Sequence, residues 1–425
     1  MLSPTSGGRL ENFKRVEKCR ACDSTELVPY LSFPDSPAVN RLLTSPDQVA
    51  ETFEVKLLVC QQCFLSQLSV VVDPEYLYSE YAYHSGISNT WREHCRQLAK
   101  DLRAKFDFTC DRPRLMDIAS NDGCLMREFK AEEFDVMGYE PCAEMADKTQ
   151  KEGLATCCGF FREVGSDVNL GCQKDVITAT NVLAHVDDLH GFVRGVKNYL
   201  EPARGIFVAE FPHMLNLFDY NQVDTVYHEH LSYFLLGPLR QVFKTNGLDI
   251  FRVERLEIHG GSLRVYACSV GQRPIEPSVQ DCLDAENAGR MYDIEMYKEF
   301  SSWISRYHGD INTMLHFYKT TGKKVMGYGA SAKGISLINY MGVGDMVHSI
   351  VDETPYKIGK FAPGSGLPIV GFEAFEKERP DYILLLAWNF AEEMMKKTAH
   401  LGAKYIIPIP TPEVVAYQAP QESAA

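Results

Sequence analysis

A chain of 425 residues is longer than one hydrophobic core normally supports, so two or three domains are expected. Hydrophobic residues at 45% and charged residues at 24% belong to an ordinary globular protein. The net charge of -14 excludes a general nucleic-acid binder, which needs a basic footprint, but leaves room for an anionic small substrate met by local donors.

No apolar run approaches the roughly eighteen residues of a membrane span, and Met1 to Leu10 lacks the apolar stretch of an export signal. The expected location is therefore cytoplasmic, with no membrane partner, and the 13 cysteines are expected as reduced thiols. Four of them stand out. Cys19-Arg-Ala-Cys22 and Cys60-Gln-Gln-Cys63 are two Cys-x-x-Cys knuckles, separated by a segment long enough to fold back as a β-ribbon. Each knuckle can place two thiolates on one cation, and four sulfurs leave no position for water, which describes a structural Zn2+ site. Such a site supplies roughly 10–16 kcal/mol of apparent folding free energy in small modules. The alternative is two pairs of buried or redox-active thiols.

After the knuckles, Tyr76, Tyr78, Tyr81 and Tyr83 crowd a short polar stretch. Their phenols suit interface packing, and one or two could present a hydroxyl to a ligand. Thr90 to Phe106 has apolar residues at helical spacing and reads as a connecting helix.

From Arg114 to Met126 the pattern is a short apolar strand, a turn of small and polar residues, and an amphipathic helix; a second strand, Phe134 to Tyr139, ends in Glu140-Pro141. This is how a nucleotide-binding α/β unit opens, with a carboxylate placed for ribose hydroxyls. The full Gly-x-Gly-x-x-Gly is missing, so adenosine without phosphates fits better than a dinucleotide. Further strands begin at Asp175 and Gly205, and together they imply a parallel sheet with ligands at its carboxyl ends. Asn181, His185 and Glu210 fall at or just beyond such ends, either as ligand contacts or as hydrogen-bonded turn residues.

Then comes Tyr227-His228-Glu229-His230. Four ionisable side chains in a row are poor core material, so the segment is either a solvated helix start or a place for proton chemistry. Downstream, Tyr292, Met296, Phe300, Trp303, Tyr307, Ile311, Met314 and Tyr318 are spaced by threes and fours, the stripe of a long helix packed between domains. Lys324 to Gly334 is a strand, a Gly-rich turn and a helix start, with a following strand ending at Val351-Asp352. A helix amino terminus after such a turn is an anion site, which makes a nicotinamide-dependent oxidoreductase or epimerase a rival reading. Strands at Tyr382 and Lys404 complete a second parallel sheet; Trp388 and Asn389 sit at a strand end, as ligand contacts or turn residues. The polar tail from Thr411 is expected to be loose at its end.

These motifs in this order, from the paired knuckles through Ser-Asn-Asp-Gly123, Asn-Val-Leu-Ala-His185, Tyr-His-Glu-His230 and His-Gly-Gly-Ser262 to Gly-Tyr-Gly-Ala-Ser-Ala-Lys-Gly334, resemble the S-adenosylmethionine-dependent C-methyltransferases of nucleotide-linked 4-keto deoxysugars. The resemblance covers nearly the whole chain. It implies an α/β protein in three parts: a zinc-binding amino-terminal module at 1–88, a class I methyltransferase core with a Rossmann-like sheet at 89–282, and a Rossmann-like carboxy-terminal domain at 283–425 that helps hold the nucleotide sugar. It also implies His230 as general base, with Tyr227, Glu229, His185 and Tyr81 or Tyr83 as further catalytic candidates. Asp117, Ser120, Asp122, Gly123, Glu140 and Asn181 would serve the adenosylmethionine, although Ala119 stands where a glycine is common. Glu210, His259, Ser262, Gly329, Ser331, Lys333 and Asn389 would serve the nucleotide sugar, and Cys19, Cys22, Cys60 and Cys63 the zinc. A monomer or weak homodimer is expected. The altered Ala119 turn leaves one more alternative, a zinc-ribbon scaffold whose enzymatic core has decayed.

Overall fold

The computed structural model describes residues 12–78, 86, 88–162 and 173–417. The amino-terminal part comprises β1 (Phe13–Arg15), β2 (Leu27–Pro37), β3 (Thr52–Cys60), β4 (Ser66–Leu68), β5 (Val70–Val72) and the short α1 (Pro74–Tyr78). In β3, Phe53, Val55, Leu57 and Val59 are buried on alternate positions, the period of a strand with one covered face. It pairs antiparallel with β2 from Leu27↔Cys60 to Pro37↔Thr52, forming the ribbon expected between the knuckles. β4 adds to β3, and the last strand of this four-stranded sheet arrives from far along the chain: Ser232↔Gln67 and Tyr233↔Ser66 pair antiparallel.

The central part opens with α2 (Asn89–Lys105), capped by the Ser88 hydroxyl, which accepts from Trp91 N; its buried side chains, Trp91, Cys95, Leu98, Ala99 and Leu102, recur at helical spacing. Then follow β6 (Arg114–Ile118), α3 (Cys124–Ala131), β7 (Asp135–Glu140), α4 (Ala143–Lys151), β8 (Ala155–Cys158), β9 (Val176–Thr180), α5 (Leu189–Tyr199), β10 (Ile206–Pro212), α6 (Met214–Asp219), β11 (Ser232–Tyr233), α7 (Leu236–Thr245), β12 (Leu248–Leu256) and β13 (Ser262–Ser269). The seven-stranded sheet has the order β12-β13-β10-β9-β6-β7-β8. It is parallel except for β13, which runs against both neighbours. Sequence periodicity did not assign β12 and β13, and the His-Gly-Gly-Ser262 motif proves to be their connection. The chain leaves β6 towards β7 on one side and β9 on the other, and this reversal opens a crevice at the carboxyl ends of the strands.

The remainder holds α8 (Pro277–Ala288), α9 (Ile294–Thr320), β14 (Val325–Tyr328), α10 (Ala332–Met341), β15 (Ile350–Val351), β16 (Ile369–Val370), α11 (Glu373–Glu378), β17 (Tyr382–Leu385), α12 (Ala391–Thr398), β18 (Lys404–Ile407) and β19 (Glu413–Val415). Its six-stranded sheet, β16-β15-β14-β17-β18-β19, is parallel up to β18. The tail opens on Glu413–Val415, which closes the edge as an antiparallel strand; its end, beyond residue 417, lies outside the described residues.

The long helix α9 touches every part. It buries Tyr297, Phe300, Ile304, Tyr307, Ile311 and Leu315, so the covered face is turned slightly from the expected stripe; Met296, Trp303, Met314 and Tyr318 flank it, half-covered. Tyr297 meets Tyr30 of β2 edge-on at 5.0 Å, Phe300 stacks on Phe218 of α6 at 4.0 Å, and Tyr318 stacks on Tyr382 of β17 at 3.9 Å.

Below α9 the buried carboxylate of Glu286 accepts from His213 Nε2 at 2.8 Å, from Leu236 N and Gly237 N at the start of α7, and from Tyr292 OH. One side chain thereby caps α7 and ties it to α8. Glu286→Ala leaves these donors unpaired in the interior, and an unfolding titration in urea should show a loss of about 3–5 kcal/mol; an unchanged midpoint would contradict this assignment.

Candidate functional site

The four knuckle sulfurs lie within 4.8 Å of one another, Cys19 and Cys63 at 3.5 Å and Cys22 and Cys60 at 3.6 Å. Four thiolates about 2.3 Å from one tetrahedral Zn2+ stand roughly 3.8 Å apart, so the donor set fits that ion. The bond with Cys63 lowers the Cys19 thiol to about 6, whereas burial pushes Cys22 up to about 11. A second trio within the same reach, His213, Cys282 and Glu286, does not fit, because the Glu286 carboxylate is already saturated by protein donors. The first knuckle also braces the core: Arg20 Nη1 donates to Asp187 O and Oδ1 at 2.8 and 2.7 Å, and His190 Nε2 donates to Ala21 O at 3.1 Å.

A cleft of about 1850 Å³ runs along the carboxyl ends of both sheets and is lined by side chains of all three parts. On the core side it is lined by Asp117, Ser120, Glu140 and Asn181. Ala119 and Asn121 hold the left-handed backbone, with φ of 55° and 50°, so the turn after β6 keeps a glycine-like course without its glycines. Glu140 fixes it: Oε2 accepts from Asn121 N and Oε1 from Cys142 N, both at 2.8 Å. Burial raises the Asp117 carboxyl to about 7, opposed by the hydroxyl of Thr178 at 2.8 Å. Two acids at adjacent strand ends above a tight turn could hold the ribose and amino-acid ends of adenosylmethionine. Asp122 and Gly123 sit outside the cleft lining. Asp122 accepts from Gly86 N and Cys124 N, and Gly123 is the left-handed start of α3.

The Tyr227 to His230 segment is buried, not solvated: the four residues are 8%, 2%, 2% and 8% exposed. His230 Nδ1 lies 2.8 Å from the carbonyl oxygen of Thr225 and must donate to it. In the neutral ring, Nε2 is then left unprotonated and accepts from the Tyr227 hydroxyl at 3.0 Å. Tyr227, His230 and Thr225 all line the cleft. His185 stands beside them, its ring centroid 5.0 Å from that of His230, its Nδ1 2.9 Å from Tyr78 OH, and burial lowers it to about 4. Tyr81 and Tyr83 lie outside the described residues; among the described tyrosines of that stretch, Tyr78 is the one that reaches His185.

The neighbours of His230 point away and hold the segment. Glu229 accepts from Asn40 Nδ2 at 2.7 Å, and burial raises its carboxyl to about 7. His228 Nε2 donates to Glu54 O of β3 at 3.3 Å, and burial lowers it to about 4. Glu229 therefore does not orient the His230 ring; the Thr225 carbonyl does.

Glu210 and Ser262 also stay out of the cleft lining. Glu210 is 1% exposed and pairs with His94 Nε2 at 2.7 Å and Arg264 Nε at 2.6 Å, which outweigh burial and hold its carboxyl below the usual range. Ser262 donates to Ile258 O. His259 falls in the short turn Ile258–Gly260. The cleft-facing member of the Glu210 network is His94, which sequence reading missed because helical spacing alone does not reveal which polar residue of α2 turns inward.

On the opposite wall, Gly329, Ser331, Lys333 and Asn389 line the cleft. Gly329 has φ of +96°, and a Cβ there would meet the Ala387 Cβ at 3.0 Å, so the turn admits no side chain. The Ser331 hydroxyl caps α10, accepting from Gly334 N. Asp352, the acid that a dinucleotide fold would offer to ribose, instead accepts from Ala330 N, Thr354 N and Lys357 Nζ.

Two outcomes follow from this geometry. Purified protein should carry one zinc per chain, and Cys60→Ser should abolish it, read by metal analysis; two zinc ions, or an unchanged content in the variant, would contradict the assignment. His228 binds its proton more weakly folded, near 4, than unfolded, near 6.5, so the unfolded state takes up a proton first and stability falls as pH drops through that window. His228→Gln, which keeps a donor for Glu54 O, should flatten the acid limb of a stability profile by up to roughly 1.4 kcal/mol per pH unit; an unaltered slope would exclude this.

Among the described residues no helix is long and apolar enough to cross a membrane. Residues 19–78 match a zinc-binding domain family, 91–253 a methyltransferase domain family and 257–410 the C-methyltransferase C-terminal domain family. The C-methyltransferase NovU of Streptomyces niveus is 32% identical over 410 residues, 94% of this chain and 97% of that protein. A solved S-adenosylmethionine-dependent methyltransferase from Clostridium acetobutylicum aligns with 43% of this chain and 93% of its own, at 13% identity and a TM-score of 0.34. Magnesium protoporphyrin IX methyltransferase from Synechocystis with bound S-adenosylmethionine aligns with 41% and 78%, at 13% identity and a TM-score of 0.32. With all three parts matched in order and near-complete coverage of a relative, the chain belongs to the S-adenosylmethionine-dependent C-methyltransferase family.

Proposed function

We propose that this enzyme transfers its methyl group to carbon 3 of a nucleoside-diphosphate 4-keto deoxysugar, with His230 as the general base. The observation that carries the reading is the fixed tautomer of His230: its proton is committed to the Thr225 carbonyl, which leaves Nε2 as the basic atom, covered by the Tyr227 hydroxyl, and both residues line the cleft. A ketone at carbon 4 acidifies the proton on carbon 3, because the resulting charge spreads onto oxygen as an enolate. Imidazole suits the abstraction, its unperturbed pKa of about 6.5 lying near working pH. Nε2 has a single lone pair, so the Tyr227 hydroxyl must turn off it before the base takes the carbon 3 proton, and the hydroxyl then donates to the developing enolate oxygen. His185, held neutral by burial, adds no positive charge 5.0 Å from the new imidazolium.

Adenosylmethionine supplies the electrophilic methyl when bound, and Asp117, Ser120, Glu140 and Asn181 are the residues assigned to it. Asp122 and Gly123 shape the turn instead. The nucleotide end falls to Gly329, Ser331, Lys333 and Asn389 on the opposite wall. Glu210 and Ser262, which lie outside the cleft lining, are assigned to support of the core. The engagement of Asp352 with its own turn weighs against a dinucleotide oxidoreductase, and the retained left-handed turn at Ala119 weighs against a decayed scaffold.

Labelled adenosylmethionine with a panel of 4-keto sugar nucleotides tests this reading. His230→Ala and Tyr227→Phe should each cut transfer at least about tenfold, roughly 1.4 kcal/mol of barrier, while S-adenosylhomocysteine still binds in calorimetry. Full activity in both variants, or no acceptor among the 4-keto sugars, would overturn it.

A further inference from the structure

The turn that carries Thr225 is held from the carboxy-terminal domain. Trp388, which follows β17, donates from Nε1 to Oδ2 of Asp224 at 2.7 Å, across 164 positions of sequence. Asp224 is fully buried, and among the described residues no donor reaches its Oδ1. Tyr340 of α10 donates to the carbonyl of Val226, and Asn221 Nδ2 donates to Pro410 O at 3.2 Å. Residues 221–226 are thus gripped at three points from the carboxy-terminal part, by α10 and by the segments that follow β17 and β18, and the next link is the Thr225 carbonyl that fixes His230.

The other face of the same indole looks towards the nucleotide wall. Lys333 Nζ stands 5.9 Å from the Trp388 ring centroid, and both residues line the cleft. Trp388 therefore joins the wall assigned to the diphosphate to the turn assigned to the base.

We propose that Trp388 is a positioning residue: through its hydrogen bond to Asp224 it makes proton abstraction by His230 depend on the nucleotide end of the substrate being seated beside Lys333. The inference rests on the function proposed above. Physically, an anion drawn to Lys333 fixes the indole plane, the indole N–H fixes Asp224, and the 223–225 turn holds its carbonyl where Nδ1 needs it. The sugar ring is then met by a base already oriented.

Base function can be read without methyl transfer. In deuterium oxide with S-adenosylhomocysteine bound, abstraction and return at carbon 3 exchange its proton for deuterium, and NMR follows the exchange on the 4-keto sugar nucleotide that the wild-type enzyme turns over fastest. Trp388→Phe keeps the ring and removes the N–H; it should lower the exchange rate at saturation about tenfold, with the half-saturating substrate concentration and S-adenosylhomocysteine affinity within about twofold of wild type. Asp224→Asn keeps an acceptor for the indole and should lose less than Trp388→Phe. Wild-type exchange in Trp388→Phe, a loss confined to substrate affinity, or a larger loss in Asp224→Asn would each overturn the proposal. His230→Ala separates the two readings: if it exchanges as fast as wild type, or if wild type does not exchange, the base assignment fails, and this inference with it.

Discussion

One hydrogen bond orders the rest of the site, the 2.8 Å link from His230 Nδ1 to the carbonyl of Thr225. A carbonyl oxygen can only accept, so it dictates where the proton of the neutral ring sits and leaves Nε2 as the basic atom. A backbone partner does this without adding charge. A carboxylate in the same place would raise the basicity of the ring and place a negative group beside the enolate of the proposed reaction. The structure instead turns Glu229 away, to Asn40.

Holding that geometry takes all three parts of the chain. The segment following His230 becomes a strand of the amino-terminal sheet, and His228 bonds to the backbone of that sheet. From the other side Trp388 and Tyr340 grip the preceding turn. The zinc knuckle braces Asp187, two residues beyond His185. The structural metal therefore has a mechanical bearing on the segment that carries His230: the module it stabilises supplies the strand with which that segment pairs. Burial has an electrostatic effect of the same kind, raising Asp117 and Glu229 to about 7 and lowering His185 and His228 to about 4. Each shift favours the uncharged form, so the interior of the site is less charged than its composition suggests.

Much of this was legible in local sequence. Paired knuckles, a strand and turn ending in Glu140 and the Gly329 turn are each written in a few adjacent residues and folded as expected, and the apolar stripe gave the long helix with its covered face slightly turned. The partners of those residues were not legible. Asn40 meets Glu229, and Trp388 meets Asp224, across distances in sequence that no periodicity records. Glu210 shows the limit most clearly. Its place at a strand end suggested a ligand contact, yet its side chain turns into the core to meet Arg264, leaving His94 at the surface of the cleft. Ala119 shows the converse: a residue that looked wrong for its turn adopts the left-handed backbone, in a turn that Glu140 holds by the amide of Asn121.

The most direct test of the account is the tautomer of His230. Nitrogen NMR of histidine-labelled enzyme, assigned by difference against His230→Gln, should show residue 230 at neutral pH with a protonated Nδ1 and an unprotonated Nε2. A proton on Nε2, or a ring charged on both nitrogens at that pH, would leave no base facing the cleft and would contradict the account.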